Sequence, residues 1–154
     1  MKRVFISLLI IFTLAGTAKA QEATSQDYRF ALGVRLSNAS PTLSNSVTGK
    51  FFITQKSAIE GLISFGGRFG FGALLEIQKP FKTEGLSWFW GGGAYVGFED
   101  DQTFLGPTGI VGLDYKFPGI PLNLSLDWKP ELDIIPEIRF VPDAFALSVR
   151  FAFN

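Results

Sequence analysis

The chain has 154 residues, 14 basic and 14 acidic side chains, and neither cysteine nor histidine. That length suits one domain. Without cysteine there is no disulfide scaffold, thiolate metal site or lipid-modified N-terminal Cys. Without histidine there is no Ser-His-Asp catalysis and no imidazole metal site.

The N-terminus reads as a secretory signal peptide over residues 1–20. Lys2 and Arg3 form the charged region, Val4 to Gly16 the apolar region, and Ala18-Lys19-Ala20 the small-x-small cleavage pattern, with cutting expected after Ala20. The competing reading, a retained anchor, suffers because the apolar run is short for a span of about 20 residues. The domain would then be residues 21–154. Loss of Lys2, Arg3 and Lys19 leaves 14 − 3 = 11 basic residues against all 14 acidic ones, a charge of about −3, which argues against a nucleic-acid partner. Beyond the leader no stretch has the length of an apolar transmembrane helix. Yet hydrophobic residues make up 47% and there are 17 Phe.

About eight strand-like segments follow, each near the ~9–11 residues that cross a bilayer when tilted. Tyr28 to Asn38 comes first, with Tyr28, Phe30, Leu32, Val34 and Leu36 on one face and Arg29, Ala31, Gly33, Arg35 and Ser37 on the other. Val47 to Gln55 is less regular, because Phe51-Phe52-Ile53 interrupts the alternation. Ala58 to Gly66 sets Ile59, Ile63 and Phe65 against Glu60, Leu62 and Ser64. Phe69 to Gln78 sets Phe69, Phe71, Ala73, Leu75 and Ile77 against Gly70, Gly72, Leu74, Glu76 and Gln78. In Leu86 to Glu99, the residues Trp88, Trp90, Ala94, Val96 and Phe98 oppose Ser87, Phe89, Gly91, Gly93, Tyr95 and Gly97. Pro107 to Phe117 opposes Val111, Leu113, Tyr115 and Phe117 to Gly112, Asp114 and Lys116. Pro121 to Lys129 opposes Leu122, Leu124, Leu126 and Trp128 to Asn123, Ser125, Asp127 and Lys129. The last segment, Ala144 to Asn154, alternates Phe145, Leu147, Val149, Phe151 and Phe153 with Ala146, Ser148, Arg150 and Ala152.

A period of two marks strands with unlike environments on their faces. Glycine inside the segments disfavours helix by about 1 kcal/mol each relative to Ala. The connections at Gln55–Ser57, Lys79–Gly85 and Pro118–Ile120 are short, and those at Ala39–Ser46, Asp100–Gly106 and Pro130–Asp143 are longer and more polar; Gly67-Arg68 is a short exception. Both termini fall on the short-turn side, the periplasmic side of outer-membrane barrels.

Which face points outward separates a membrane barrel from a soluble, lipocalin-like barrel around an apolar ligand. Three features favour lipid outside. The non-bulky face is rich in Gly, Ala and Ser, as a narrow lumen requires. It carries nearly balanced charges: Arg29, Arg35, Lys50, Lys116, Lys129 and Arg150 against Glu60, Glu76, Glu99, Asp114 and Asp127. Buried charges persist when paired, so these residues form a candidate lumen network. Tyr28, Trp88, Phe98, Tyr115, Phe117, Trp128 and Phe153 lie near segment ends, where interfacial girdles form.

This pattern, with its terminal aromatic strand, resembles the small eight-stranded bacterial outer-membrane barrels of the OmpA transmembrane-domain and OmpX type. Uncharacterised barrel families share the look of Gly112 to Phe117 followed by Pro121 to Glu131. The resemblance implies an all-β, eight-stranded antiparallel up-and-down transmembrane barrel, located in the bacterial outer membrane. It implies lipid and lipopolysaccharide as surroundings, the barrel-assembly machinery as partner during biogenesis, and a monomer. In that class the final strand is the assembly signal and usually ends in Phe or Trp; here it ends Phe153-Asn154.

Enzymes on similar barrels (lipid A deacylases, palmitoyltransferases, phospholipases, omptin-type proteases) use a histidine that this chain lacks. Asp114 and Asp127 could serve as an acid–base pair, but salt bridges to Lys116, Lys129 and Arg150 are the simpler expectation. Glu99-Asp100-Asp101 with Glu131, Asp133 and Glu137 offers oxygen ligands of the kind hard cations prefer; solvated loops are the plainer account. Gly91-Gly92-Gly93 lacks the Lys-Ser/Thr pair of a phosphate loop. No cofactor is expected. The expected role is non-enzymatic, structural or surface-interactive. The alternatives are a narrow diffusion pore and a soluble binder of an apolar ligand.

Overall fold

A computed structural model describes residues 28–39, 42–142 and 144–154. The expected signal peptide and its cleavage point lie outside the described residues. The strands are β1 (Phe30–Ser37), β2 (Ser46–Phe52), β3 (Ser57–Phe65), β4 (Phe69–Pro80), β5 (Leu86–Glu99), β6 (Gln102–Lys116), β7 (Leu122–Trp128), β8 (Glu131–Asp133), β9 (Arg139–Val141) and β10 (Phe145–Phe153). Every pairing is antiparallel, in the order β5-β4-β3-β2-β1-β10-β7-β6, and β6 returns to β5, which closes the ring.

The ring has eight walls because β8 prolongs β7. Val111↔Trp128 and Thr108↔Glu131 keep one register on β6, so β8 continues the line of β7 past Lys129 and Pro130. Pro130 has no N–H for the ladder, which accounts for the gap. β9 folds back on β8 through Leu132↔Phe140 and leads down into β10. The stretch expected as the polar loop Pro130–Asp143 is thus, over its described residues 130–142, an extension of the β7–β10 hairpin.

The Asp100–Gly106 loop is likewise corrected. β6 begins at Gln102 and turns directly from β5 through Asp100 and Asp101, whose φ angles are +47° and +62°. Two successive residues in the left-handed region make the tight hairpin turn whose twist suits flanking strands, and Asp tolerates that region better than most residues. Pro107, expected to open the strand, instead lies inside it opposite Ala94. Of the longer connections, the one between β1 and β2 has no strand among its described residues.

Side chains alternate around the wall as the sequence pattern requires, with the apolar face outward. Val34 is 50% exposed and its neighbour Arg35 0%. Leu32, Ile59, Phe71, Leu75, Leu113, Leu126 and Leu147 are exposed as well. Inside are Lys50, Glu60, Glu76, Asp114, Asp127 and Arg150, all buried. This is the reverse of a soluble barrel built around an apolar centre.

Two expectations at the terminus-bearing end are corrected. The alternation of β2 does not break: Phe51 and Ile53 are exposed and Phe52 is buried. Tyr28 does not join an outer girdle; it is buried and meets Phe52 edge-on, with ring centroids 5.1 Å apart. With Ala31, Ala58 and Ala152 these two rings form an apolar floor across the lumen. An inward aromatic is useful where the barrel must be closed off at its end rather than filled with charge.

Candidate functional site: the lumen

Three tiers of polar side chains cross the lumen above that floor. The lowest joins Lys50 of β2 to Glu76 of β4 at 2.7 Å, and to Asp114 of β6 at 3.6 Å. The Lys50 ammonium also lies 4.5 Å from the centroid of the Phe89 ring, a favourable place for a cation. Asp114 accepts from Asn123 Nδ2 at 2.7 Å.

The middle tier centres on Arg150 of β10. Its guanidinium pairs with Glu60 of β3 and donates to Ser125 Oγ at 2.6 Å and Thr48 Oγ1 at 3.3 Å. Thr48 donates in turn to Glu60. Arg35 of β1 makes a forked contact with Asp127 of β7, through Nη2 at 2.6 Å and Nε at 3.3 Å. Planar forks of this kind are the strongest of the charge-assisted hydrogen bonds.

The upper tier holds residues 42–44, between β1 and β2, inside the barrel. Thr42 and Leu43 are fully buried. Glu131 accepts from the backbone N–H groups of Thr42 at 3.1 Å and Leu43 at 2.8 Å, and receives Lys129 Nζ at 3.1 Å. Arg35 Nη1 donates to the Leu43 carbonyl at 2.8 Å. Leu43 packs with Leu62, Leu74, Phe89, Tyr95 and Ile110. Glycine makes room for it: a Cβ on Gly72 would lie 2.6 Å from Leu43 Cδ1, and one on Gly97 would lie 2.6 Å from Thr42 Cγ2. Above, Arg68 binds Asp133 at 3.0 Å, Thr42 Oγ1 at 3.0 Å and Glu99 at 3.2 Å, while Tyr95 donates to Asp133 at 2.8 Å.

Of the candidate network, Arg35, Glu60, Glu76, Asp114, Asp127, Lys129 and Arg150 come together inside. Arg29 does not. It is exposed just before β1, with its guanidinium carbon 5.9 Å from the Phe51 ring centroid. The chain has turned at the barrel end there, so strand parity no longer fixes its face. Lys116 is buried, but its ammonium donates to the carbonyls of Phe117 at 2.9 Å and Ile120 at 2.7 Å, tying the β6–β7 turn. Strand pattern had marked Lys50 but not Arg68, Glu131 or Asp133, because these three lie in segments that looked like loops. For Glu131 and Asp133 the available signal is the five charged residues of Pro130–Asp143 set among Leu132, Ile134, Ile135, Ile138 and Phe140.

The acidic residues expected at the outer mouth do not converge. Glu99 goes to Arg68, Glu131 to Lys129 and Asp133 to Arg68 and Tyr95. Among the described residues, no group of three or more carboxylates is placed to hold a metal ion. Asp114 and Asp127 face different cations, Lys50 and Arg35.

The geometry defines a closed eight-walled antiparallel barrel with a charged, plugged interior and an apolar exterior. No protein-family model matches the chain, and a search of curated proteins returns no match.

Proposed function

We propose that this chain is a non-enzymatic outer-membrane barrel whose role is structural or surface-interactive. The observation that carries the reading is the inverted distribution of polarity. Leu, Ile, Val and Phe side chains cover the outside of the wall, and the charged groups lie within it. Water around such a wall would face an apolar area far beyond the patches of a few hundred Å² that soluble monomers expose. Hydrocarbon chains are the solvent that suits it. Trp88, Tyr115, Phe117 and Phe153 lie at the terminus-bearing end and Phe98 at the other, as interfacial girdles would, whereas Trp128 lies part-way along the wall opposite Val111.

Outer-membrane lipid and lipopolysaccharide are the proposed surroundings, and the barrel-assembly machinery the proposed partner during insertion. Catalysis is not part of the proposal: in the lumen Arg35, Lys50, Lys129 and Arg150 are held by Asp127, Glu76, Glu131 and Glu60. The test combines envelope fractionation with gel migration in detergent before and after heating. The reading expects the chain in the outer-envelope fraction and a folded band whose mobility changes on heating. A chain that remains dissolved without detergent would overturn it.

A further inference from the structure

The two ends of the barrel carry opposite charge. Among the described residues, the exposed charged side chains at the end bearing Phe30 and Phe153 are Arg29, Lys56, Lys79 and Lys82, with Glu84 as the one acid. At the opposite end they are Glu99, Asp100, Asp101 and Glu137, with Arg139 as the one base. The basic end has a second feature. Two of its cations lie over outward rings of the apolar belt: Lys79 Nζ is 5.6 Å from the Trp88 centroid, and Arg29 Cζ is 5.9 Å from that of Phe51. Phe81, beside Lys82, is 47% exposed.

Cations on flexible stems, anchored over aromatic rings at the edge of an apolar belt, lie at headgroup height when the belt is in hydrocarbon. There they meet phosphate. We propose that this rim is a binding surface for anionic phospholipid headgroups, with the Arg29, Lys56, Lys79 and Lys82 side chains as the contacts. The inference rests on the membrane-spanning reading above. On that reading the rim is periplasmic, so it meets the phospholipid leaflet; the acidic rim meets the leaflet where lipopolysaccharide lies.

The experiment uses the barrel carrying W90F and W128F, which leaves Trp88 as the fluorophore at the basic rim. It is inserted into vesicles of phosphatidylcholine and phosphatidylglycerol, with bromines on the acyl chains of one lipid or the other. Insertion is checked first by heat-modified migration. The expected result is quenching several-fold stronger from brominated phosphatidylglycerol than from brominated phosphatidylcholine at equal content. The preference should fall towards parity with K56Q/K82Q and in about 1 M salt, where the Debye length shrinks to about 3 Å. Equal quenching by the two lipids in an inserted parent barrel overturns the proposal and leaves the membrane reading standing. Failure to insert into either lipid overturns both. A preference that survives K56Q/K82Q together with R29Q and K79Q overturns the assignment to this rim.

Discussion

Lys50 and Asp114 stand on opposite walls, four strands apart whichever way the ring is counted, and their charged atoms approach to 3.6 Å. A side-chain bridge across the full width of the lumen leaves no straight aqueous path. Below it lies the Tyr28–Phe52 floor, and above it Leu43. In planar bilayers the protein should therefore give no steady single-channel conductance. Reproducible open levels would contradict this and favour the diffusion-pore alternative.

Breaking the Arg150–Glu60 pair tests whether the interior is a coupled network. Arg150→Met leaves Glu60 charged and buried among Thr48 and its neighbours, at a cost of about 3–5 kcal/mol. The paired variant Arg150→Met with Glu60→Met removes the orphan charge and should recover part of the loss. Urea unfolding in phospholipid vesicles, followed by tryptophan fluorescence, reads both. A single variant as stable as the parent would mean the pair contributes nothing.

Leu75 lies at the middle of β4 and is 52% exposed, whereas Ser148 on β10 is 0% exposed. Leu75→Arg should cost about 2–4 kcal/mol if hydrocarbon touches that face. Ser148→Ala removes only a hydroxyl from the interior and should change stability little. Measured by the same unfolding assay, a harmless Leu75→Arg would mean the outward face is not in lipid.

Gly72→Leu tests the plug. The new side chain must occupy the place of Leu43, so residues 42–44 should leave the barrel while the ladder persists. A broad-specificity protease should then cleave the folded protein near Leu43, and the parent should resist. Equal resistance in the two would show that the loop is not held by this packing.

Much of the fold was legible because strand parity is a local property. The run from Phe145 to Phe153 shows both faces without reference to anything else in the chain. Parity also placed Glu60, Arg150, Asp114 and Asp127 on the inner face. It could not say that Arg150 reaches Glu60 rather than an acid on the adjacent strand, because partner choice depends on how the ring closes. It failed where the chain leaves the wall. Arg29 and Tyr28 exchanged their expected faces at the lower end. Composition alone marks Pro107 and Pro130 as strand limits, although the β6 ladder runs through the first and resumes after the second. Burial of Thr42 and Leu43 had no periodic signature, since it depends on gaps left by Gly72 and Gly97 in distant strands.

The seam between β1 and β10 joins the earliest and latest strands of the ring, Phe30 opposite Phe153 and Ser37 opposite Ala146. No part of the cylinder can be finished before that seam forms, so assembly is governed by a contact of very large sequence separation, which slows folding. Until then both edges are open templates for other chains. On the outer-membrane reading proposed above, alternation has a compensating benefit in transit: no stretch of residues 28–154 has the length of an apolar helical span that a secretion channel would release sideways. On that reading the chain can be threaded through as separate strands and sealed into a cylinder afterwards.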